Sequence, residues 1–132
     1  MGEKKLILLD TDIIIEVLDK NSDKGQGFML KIIECGEECC TSSVNMHELL
    51  YGIEKYSKDS RLVLQIPTLE YSKKDSELSA FLELSAEKKG SAVPRMDAIV
   101  ASIAINNGCS LYTLDKHFEV FIDNGLKLFR QD

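Results

Sequence analysis

Leu6-Ile7-Leu8-Leu9-Asp10-Thr11-Asp12 is the stretch that decides the fold of this 132-residue chain. Its four consecutive apolar residues, with no polar alternation, indicate a strand buried on both faces, as in the centre of a parallel sheet. The acidic residues that follow open a helix, whose N-terminus favours negative charge. We therefore predict that Asp10 lies at the carboxyl end of a central strand and faces the crevice where open α/β sheets bind their ligands.

Apolar runs and helical patterns alternate along the rest of the chain, which predicts an α/β fold with helices on both faces of a parallel sheet. Pro67 cannot donate a ladder hydrogen bond, so the strand around it belongs at an edge. We predict strands at residues 4–9, 38–41, within 61–71, 109–113 and 126–129. We predict helices at residues 11–19, 26–35, 44–56, 73–90, 94–107 and 117–122, with a turn at 21–25.

Two of these helices carry specific expectations about which side chains they bury. The first, residues 11–19, has apolar side chains nearly all round and is therefore predicted to be buried. The fourth begins after Ser72, a good N-terminal cap. Its predicted buried stripe is Leu78, Phe81, Leu82 and Ser85.

The composition, 44% hydrophobic and 29% charged, predicts one globular domain over residues 1–132. There is no apolar run of about 20 residues and no basic leader, so we expect neither a membrane span nor a secretory signal, and a cytoplasmic location. The net charge of −6 argues against a general polyanion-binding module. It does not exclude a nucleic-acid enzyme, because basic residues accompany the acidic motifs: Lys4, Lys5, Arg95 and Lys116.

Four cysteines in a chain without a secretory signal indicate reduced thiols. Cys35, Cys39 and Cys40 cluster in sequence, which raises the possibility of a zinc site. Neighbouring strand residues point to opposite faces, however, so Cys39 and Cys40 are poorly placed to share one ion. We interpret the cysteines as small buried hydrophobic residues.

Four acidic residues follow predicted strands or lie in the first turns of predicted helices: Asp10, Glu48, Asp97 and Asp115. Carboxylates gathered at one edge of a sheet repel each other, and a bound divalent cation is the usual remedy. The pattern therefore indicates a metal-dependent enzyme. Thr113, two residues before Asp115, could orient a carboxylate by hydrogen bonding.

Each acidic residue also has an ordinary structural interpretation. Asp10 could cap its helix, and we assign Asp12 to the dipole of that helix. Glu48 could be a surface glutamate paired with a lysine, and Asp97 an ordinary first-turn acid. The combination of the four positions, rather than any single one, favours a shared site.

Three segments carry a resemblance to a known family: LLDTDIII (residues 8–15), SSVNMHELLYGIEK (42–55) and RMDAIVASIAINNGCSLYTLDKHF (95–118). They resemble the three signatures of the PIN-domain family, and in particular its VapC-type toxin ribonucleases. The resemblance implies a five-stranded parallel sheet in the order 3-2-1-4-5. That order makes the first and fourth strands neighbours and brings Asp10 and Asp115 together.

The resemblance also implies a function, namely metal-dependent hydrolysis of RNA by a toxin that pairs with an antitoxin and forms a homodimer. Asp10, Glu48, Asp97 and Asp115 occupy the catalytic and metal-binding positions, with Thr11 and Thr113 in supporting roles. We expect Asp10 and Asp97 to hold the principal cation, and Asp115 and Glu48 to contribute directly or through water. The resemblance further implies that an extended segment of the antitoxin lies in the acidic groove. An arginine of that segment could then face the carboxylates.

Oxygen ligands, without a converging His or Cys, favour Mg²⁺ or Mn²⁺ over zinc. Arg95 and Lys116 are candidate phosphate contacts. Three positions depart from the family pattern: Asp12 replaces a frequent Asn, Leu114 a common Asn, and His117 a frequent Asp. Loss of that last acid weakens the case for a second metal, so we expect one firmly bound cation and leave a second open.

Two other functions remain open on the sequence. A haloacid-dehalogenase-like phosphatase also begins with a strand followed by Asp-x-Asp, but it would leave Glu48 without a role. A non-catalytic PIN-like scaffold would bind RNA or a partner without cutting, although four idle carboxylates would cost stability.

Overall fold

A computed structural model describes residues 5–19 and 22–130. Its sheet has five parallel strands in the order β3-β2-β1-β4-β5, which confirms the expected topology. The strands are β1 (Leu6–Leu9), β2 (Glu38–Ser42), β3 (Thr68–Leu69), β4 (Ser110–Tyr112) and β5 (Lys127–Leu128).

Six α-helices and one 3₁₀ helix connect the strands within the described residues. They are α1 (Thr11–Leu18), α2 (Asp23–Cys35), α3 (Ser43–Lys55), α4 (Arg61–Leu64), α5 (Lys73–Lys88), α6 (Arg95–Asn106) and the 3₁₀ helix Lys116–Asn124. In the part of the chain that the structure describes, no helix is both long and apolar enough to cross a membrane.

The sheet is covered on both faces because neighbouring strand residues point in opposite directions. Leu8 and Leu111 face one core with α5, α6 and the 3₁₀ helix. Ile7, Leu9 and Tyr112 face the other core with α1, α2 and α3. Burial of β1 on both sides explains why its sequence is a continuous apolar run.

The central position of β1 brings two strand ends together. Leu9 pairs with Tyr112 of β4, and the Asp10 amide donates to the Tyr112 carbonyl at 2.9 Å. Both strands end at this point, so the residues after β1 and the residues after β4 lie in one crevice. The ends of β1 and β4 are therefore adjacent, as the expected strand order implied.

The prediction that α1 is buried all round was wrong. Ile13 and Ile14 are buried, but Ile15 is 56% exposed and Leu18 is also exposed. The helix packs on the sheet side and against α2, and these contacts cover only part of its circumference.

The predicted stripe on α5 was also partly wrong, because Phe81 is 60% exposed. The buried residues of this helix are instead Asp75, Ser79, Leu82 and Ala86. This stripe includes two polar residues, Asp75 and Ser79, that the predicted stripe did not contain. The Asp75 carboxylate caps the Ser72 amide and accepts from Asn106 Nδ2 at 2.8 Å. Satisfied hydrogen bonds make its burial possible.

Some element boundaries differ from the predictions. Ser22 caps α2, which therefore begins inside the predicted turn, and α4 was not predicted. Strand β3 follows Pro67 at the sheet edge, as expected for a proline that cannot donate. Pro94 is the cap of α6 rather than its first residue. Lys4 and Asn21 lie outside the described residues.

The cysteines are free thiols. Cys40 and Cys109 are buried in the core, which agrees with their interpretation as small hydrophobic residues, whereas Cys35 and Cys39 are only partly buried. Burial raises the pKa of the Cys39 thiol to about 11, so at neutral pH it stays protonated.

Gly25 tests how closely α1 and α2 approach each other. A Cβ at this position would lie 1.9 Å from the Glu16 carbonyl oxygen, whereas a Cβ at Gly27 on the same helix has nothing within 4 Å. We predict that Gly25→Ala lowers the free energy of unfolding by roughly 1–3 kcal/mol through overpacking. Gly27→Ala, the matched control, should raise it by about 0.5–1 kcal/mol through helix propensity. Equal effects in urea unfolding would contradict the close approach.

Candidate active site

Asp10 is the residue on which the site converges. It caps α1, and its Oδ1 accepts hydrogen bonds from the Thr11 amide and from Asn45 Nδ2, both at 2.9 Å. Its Oδ2 accepts from Thr113 Oγ1 at 2.6 Å. Donors from α1, α3 and the segment after β4 therefore fix both oxygens of one carboxylate.

Glu48 joins the site through Thr11 rather than by direct contact with the aspartates. Thr11 Oγ1 donates to Glu48 Oε1 at 3.0 Å and accepts from Asn45 Nδ2 at 3.0 Å. Glu48 is exposed, so its carboxylate lies at the rim of the crevice. The interpretation of Glu48 as a lysine-paired surface residue does not describe this hydrogen bond.

Asn45 organises this side of the site, and the sequence reasoning missed it. It is fully buried in the first turn of α3, where Ser42 caps its amide at 3.1 Å and donates to its Oδ1 at 2.6 Å. Its Nδ2 is thereby directed at Asp10 and Thr11. The available signal was its spacing three residues before Glu48, which sets both on one helix face.

The segment after β4 supplies Asp115. This residue caps the 3₁₀ helix by accepting from the His117 amide at 2.9 Å, and its own amide donates to Thr113 Oγ1 at 3.0 Å. Thr113 Oγ1 therefore links Asp115 to Asp10, as its expected hydrogen-bonding role requires. Asp12 Oδ2 also holds this segment, by accepting from the Leu114 amide at 3.1 Å.

Asp97 lies in the first turn of α6 and is close enough to Asp115 and Asp10 to feel their charges. Its side chain is 18% exposed, and its buried Oδ2 accepts no hydrogen bond. The His117 Nδ1 lies 3.5 Å from this oxygen and 3.1 Å from Asp115 Oδ1. The expectation that no histidine converges on the acids was therefore wrong.

The electrostatics of the site reflect crowded negative charge. Burial, followed by the charges of Asp115 and Asp10, raises the pKa of Asp97 to about 6. Burial and the charge of Asp10 raise the pKa of Asp12 to about 6, although the Leu114 amide acts in the opposite direction. Asp12 belongs to the cluster, and its assignment to the helix dipole alone was incomplete.

The two candidate phosphate contacts have different surroundings. The Arg95 guanidinium donates to Glu83 of α5 at 2.9 and 3.2 Å and is thus already paired with a carboxylate. Lys116 is exposed beside Asp115, and its ammonium has no partner among the described residues. Of the two, only Lys116 is free to meet a ligand at the acidic crevice.

Solved structures share this architecture. The chain is similar to one in VapBC2 from Rickettsia felis bound to a promoter DNA fragment, with 24% identity, 96% of this chain and 99% of that chain covered, and a TM-score of 0.77. A chain of FitAcB from Neisseria gonorrhoeae has 21% identity, coverage of 94% and 96%, and a TM-score of 0.77. One from VapBC-5 of Mycobacterium tuberculosis, a member of the VapBC family of toxin-antitoxin systems, has 19% identity, coverage of 96% and 98%, and a TM-score of 0.70.

Comparison with curated protein sequences gave no significant match. The family profile of the PIN domain, by contrast, matches residues 7–122, which include β2, β3, β4, all of β1 except Leu6, and all four acids of the candidate site. Together with the strand order and the converging carboxylates, this match means that the chain belongs to the PIN-domain family.

Proposed function

We propose that this protein is a metal-dependent endoribonuclease that hydrolyses RNA phosphodiesters. The observation that carries the proposal is the convergence of Asp10, Asp97 and Asp115, with Glu48 at the rim, in a crevice at the carboxyl ends of β1 and β4. Membership of the PIN-domain family supports nuclease activity at that crevice.

The donor set fits a divalent cation. Asp97 Oδ2 and Asp12 Oδ1 are buried oxygens without a hydrogen-bond donor, an arrangement that a cation would relieve. Carboxylate oxygens are the ligands that Mg²⁺ and Mn²⁺ prefer. We propose that Asp10, Asp97 and Asp115 hold one such ion, with Glu48 acting directly or through water. When bound, the ion stabilises charge on the phosphoryl oxygens and lowers the pKa of water.

The other residues of the site position these acids. Asn45 and Thr113 fix the two oxygens of Asp10, so the carboxylate needs little reorganisation when it meets substrate. Thr11 holds Glu48 at the mouth of the crevice, and Lys116 is available to contact a phosphate there. Hydrolysis by this route leaves a 5′-phosphate and a 3′-hydroxyl.

We further propose that the protein is the toxin of a toxin-antitoxin pair and forms a homodimer. VapBC-5, to which the chain is similar, is a member of such a system. Helices α1 and α2 pack together and leave apolar side chains exposed, namely Ile15, Leu18, Leu30 and Ile33. Exposed apolar residues on adjoining helices are typical of surfaces that a protein partner covers. A small DNA-binding protein encoded beside this chain is the expected antitoxin.

The alternatives differ in what they predict. The phosphatase interpretation loses its basis because the chain belongs to the PIN-domain family. A non-catalytic scaffold remains the second candidate, and it predicts RNA or partner binding without cleavage under any metal condition.

Asp97→Asn tests the nuclease directly. We predict metal-dependent cleavage of transfer RNA or unstructured RNA by the wild type, its loss in EDTA, and at least about a hundredfold lower turnover in the variant, because one charge-stabilising ligand is gone. Asp123→Asn, an exposed aspartate at the far end of the 3₁₀ helix, is the control and should cut normally. Turnover of Asp97→Asn within about threefold of wild type would contradict this role for Asp97.

Asp12→Asn tests the crowding of charge. The folded-state pKa of Asp12, about 6, exceeds its ordinary value of 3.8, so the folded protein binds more protons than the unfolded chain between these pH values. Stability from this group is therefore lost as the pH rises through that window. In EDTA at pH 7.5, Asp12→Asn should melt roughly 3–6 °C above wild type, the shift that about 1 kcal/mol gives a domain of this size.

The difference between the two melting temperatures should shrink toward pH 4, where Asp12 is protonated in the folded state. Millimolar Mn²⁺ at pH 7.5 should raise the melting temperature of the wild type, because the cation binds the folded state. An Asp12→Asn variant that melts at or below wild type at pH 7.5 in EDTA would contradict the cost of burying the ionised Asp12 carboxylate beside Asp10.

A further inference from the structure

His117 lies beside Asp97 and Asp115, two of the proposed metal ligands. Its Nδ1 is 3.1 Å from Asp115 Oδ1 and 3.5 Å from Asp97 Oδ2. Each of the three residues offers one possible ligand atom, and these three atoms lie within 4.8 Å of one another. Within the described part of the chain, these residues form a group that could hold a metal ion. Two donors about 2.1 Å from one ion and 90–110° apart are separated by about 3.0–3.4 Å. The 3.1 Å separation falls within this range and the 3.5 Å separation lies just beyond it, so a shared ion requires only a small adjustment of the side chains.

The local structure holds the imidazole in this position. The His117 amide donates to Asp115 Oδ1 at 2.9 Å, which ties the start of the 3₁₀ helix to the carboxylate. The next residue, Phe118, is 1% exposed and anchors the helix in the core. His117 itself is 58% exposed on its side chain, so it is not a packing residue and its replacement leaves the core intact.

We infer that His117 Nδ1 is a ligand of the bound cation, an inference that rests on the proposed cation site. We also infer that this site selects a first-row transition-metal ion such as Mn²⁺ over Mg²⁺. The chemical reason is the nitrogen donor. Mg²⁺ dehydrates reluctantly and takes oxygen ligands, whereas imidazole suits transition-metal ions. An Asp at this position, which the family resemblance led us to expect, would complete an all-oxygen set instead.

The competing account of the same contacts is an ion pair, in which a protonated His117 compensates Asp97 and Asp115 without ever touching metal. The two accounts differ in whether the nitrogen is bonded to the ion. A paired imidazolium has no lone pair on Nδ1 to donate, so it gives no nitrogen coupling to a bound paramagnetic ion.

Pulsed electron paramagnetic resonance of bound Mn²⁺ distinguishes them. The full chain, freed of metal and loaded with substoichiometric Mn²⁺, should give the ¹⁴N modulation of a coordinated imidazole. His47→Gln is the matched control, because His47 is the chain's other histidine and lies exposed on α3, and the modulation should persist in it. His117→Asp should still bind Mn²⁺ but lose the modulation.

Competition with Mg²⁺ gives an independent readout. The excess of Mg²⁺ needed to displace half of the Mn²⁺ should fall by about tenfold in His117→Asp, since the nitrogen donor is replaced by oxygen. Absence of ¹⁴N modulation in the wild type, or an unchanged displacement ratio in the variant, would overturn the assignment of His117 while leaving the cation site standing. Failure of Mn²⁺ to bind wild type at all would overturn the proposed cation site together with it.

Discussion

The rest of the site depends on how Asp10 is held. Its two carboxylate oxygens receive three hydrogen bonds, from the Thr11 amide, Asn45 Nδ2 and Thr113 Oγ1. These donors belong to separate segments that only the sheet brings together. A carboxylate at the end of β1 can therefore be oriented only if β4 lies beside β1 and α3 leaves the neighbouring strand β2. The hydrogen bonds that orient Asp10 therefore depend directly on the strand order of the sheet.

The same constraint concentrates negative charge that the neighbouring side chains do not fully neutralise. Asp12 and Asp97 each keep a buried oxygen without a donor, and the pKa of each is raised to about 6. The His117 Nδ1 lies 3.5 Å from Asp97 Oδ2 and 3.1 Å from Asp115 Oδ1. Such strain is expected at functional sites, where groups are arranged for a ligand rather than for stability.

Much of this could be predicted from the sequence because its signals are local. The continuous apolar run before Asp10 indicated a central strand, and the alternation of elements indicated a parallel sheet with two covered faces, as observed. The positions of Asp10 and Asp115 at strand ends followed from the same pattern. The strand order came from the family resemblance.

What the sequence did not predict depends on tertiary contacts. The packing of α5 against α6 decides which side of α5 is buried, and that side includes Ala86 but not Phe81. The pattern of apolar residues along α5 predicted a different side. The roles of Asn45 and His117 depend on distances between segments far apart in sequence. Asn45 can be buried because Ser42, Asp10 and Thr11 form hydrogen bonds with its side chain. These partners come from separate segments, so the local sequence does not reveal them.

The central claim, that these acids gather in order to hold a cation, is tested most directly by anomalous diffraction from crystals of the protein grown with Mn²⁺. Our account predicts a peak at the manganese edge within about 2.0–2.3 Å of carboxylate oxygens of Asp97 and Asp115, the usual range for metal–oxygen bonds. No peak in the crevice at saturating Mn²⁺, or a peak bound only elsewhere on the surface, would contradict it.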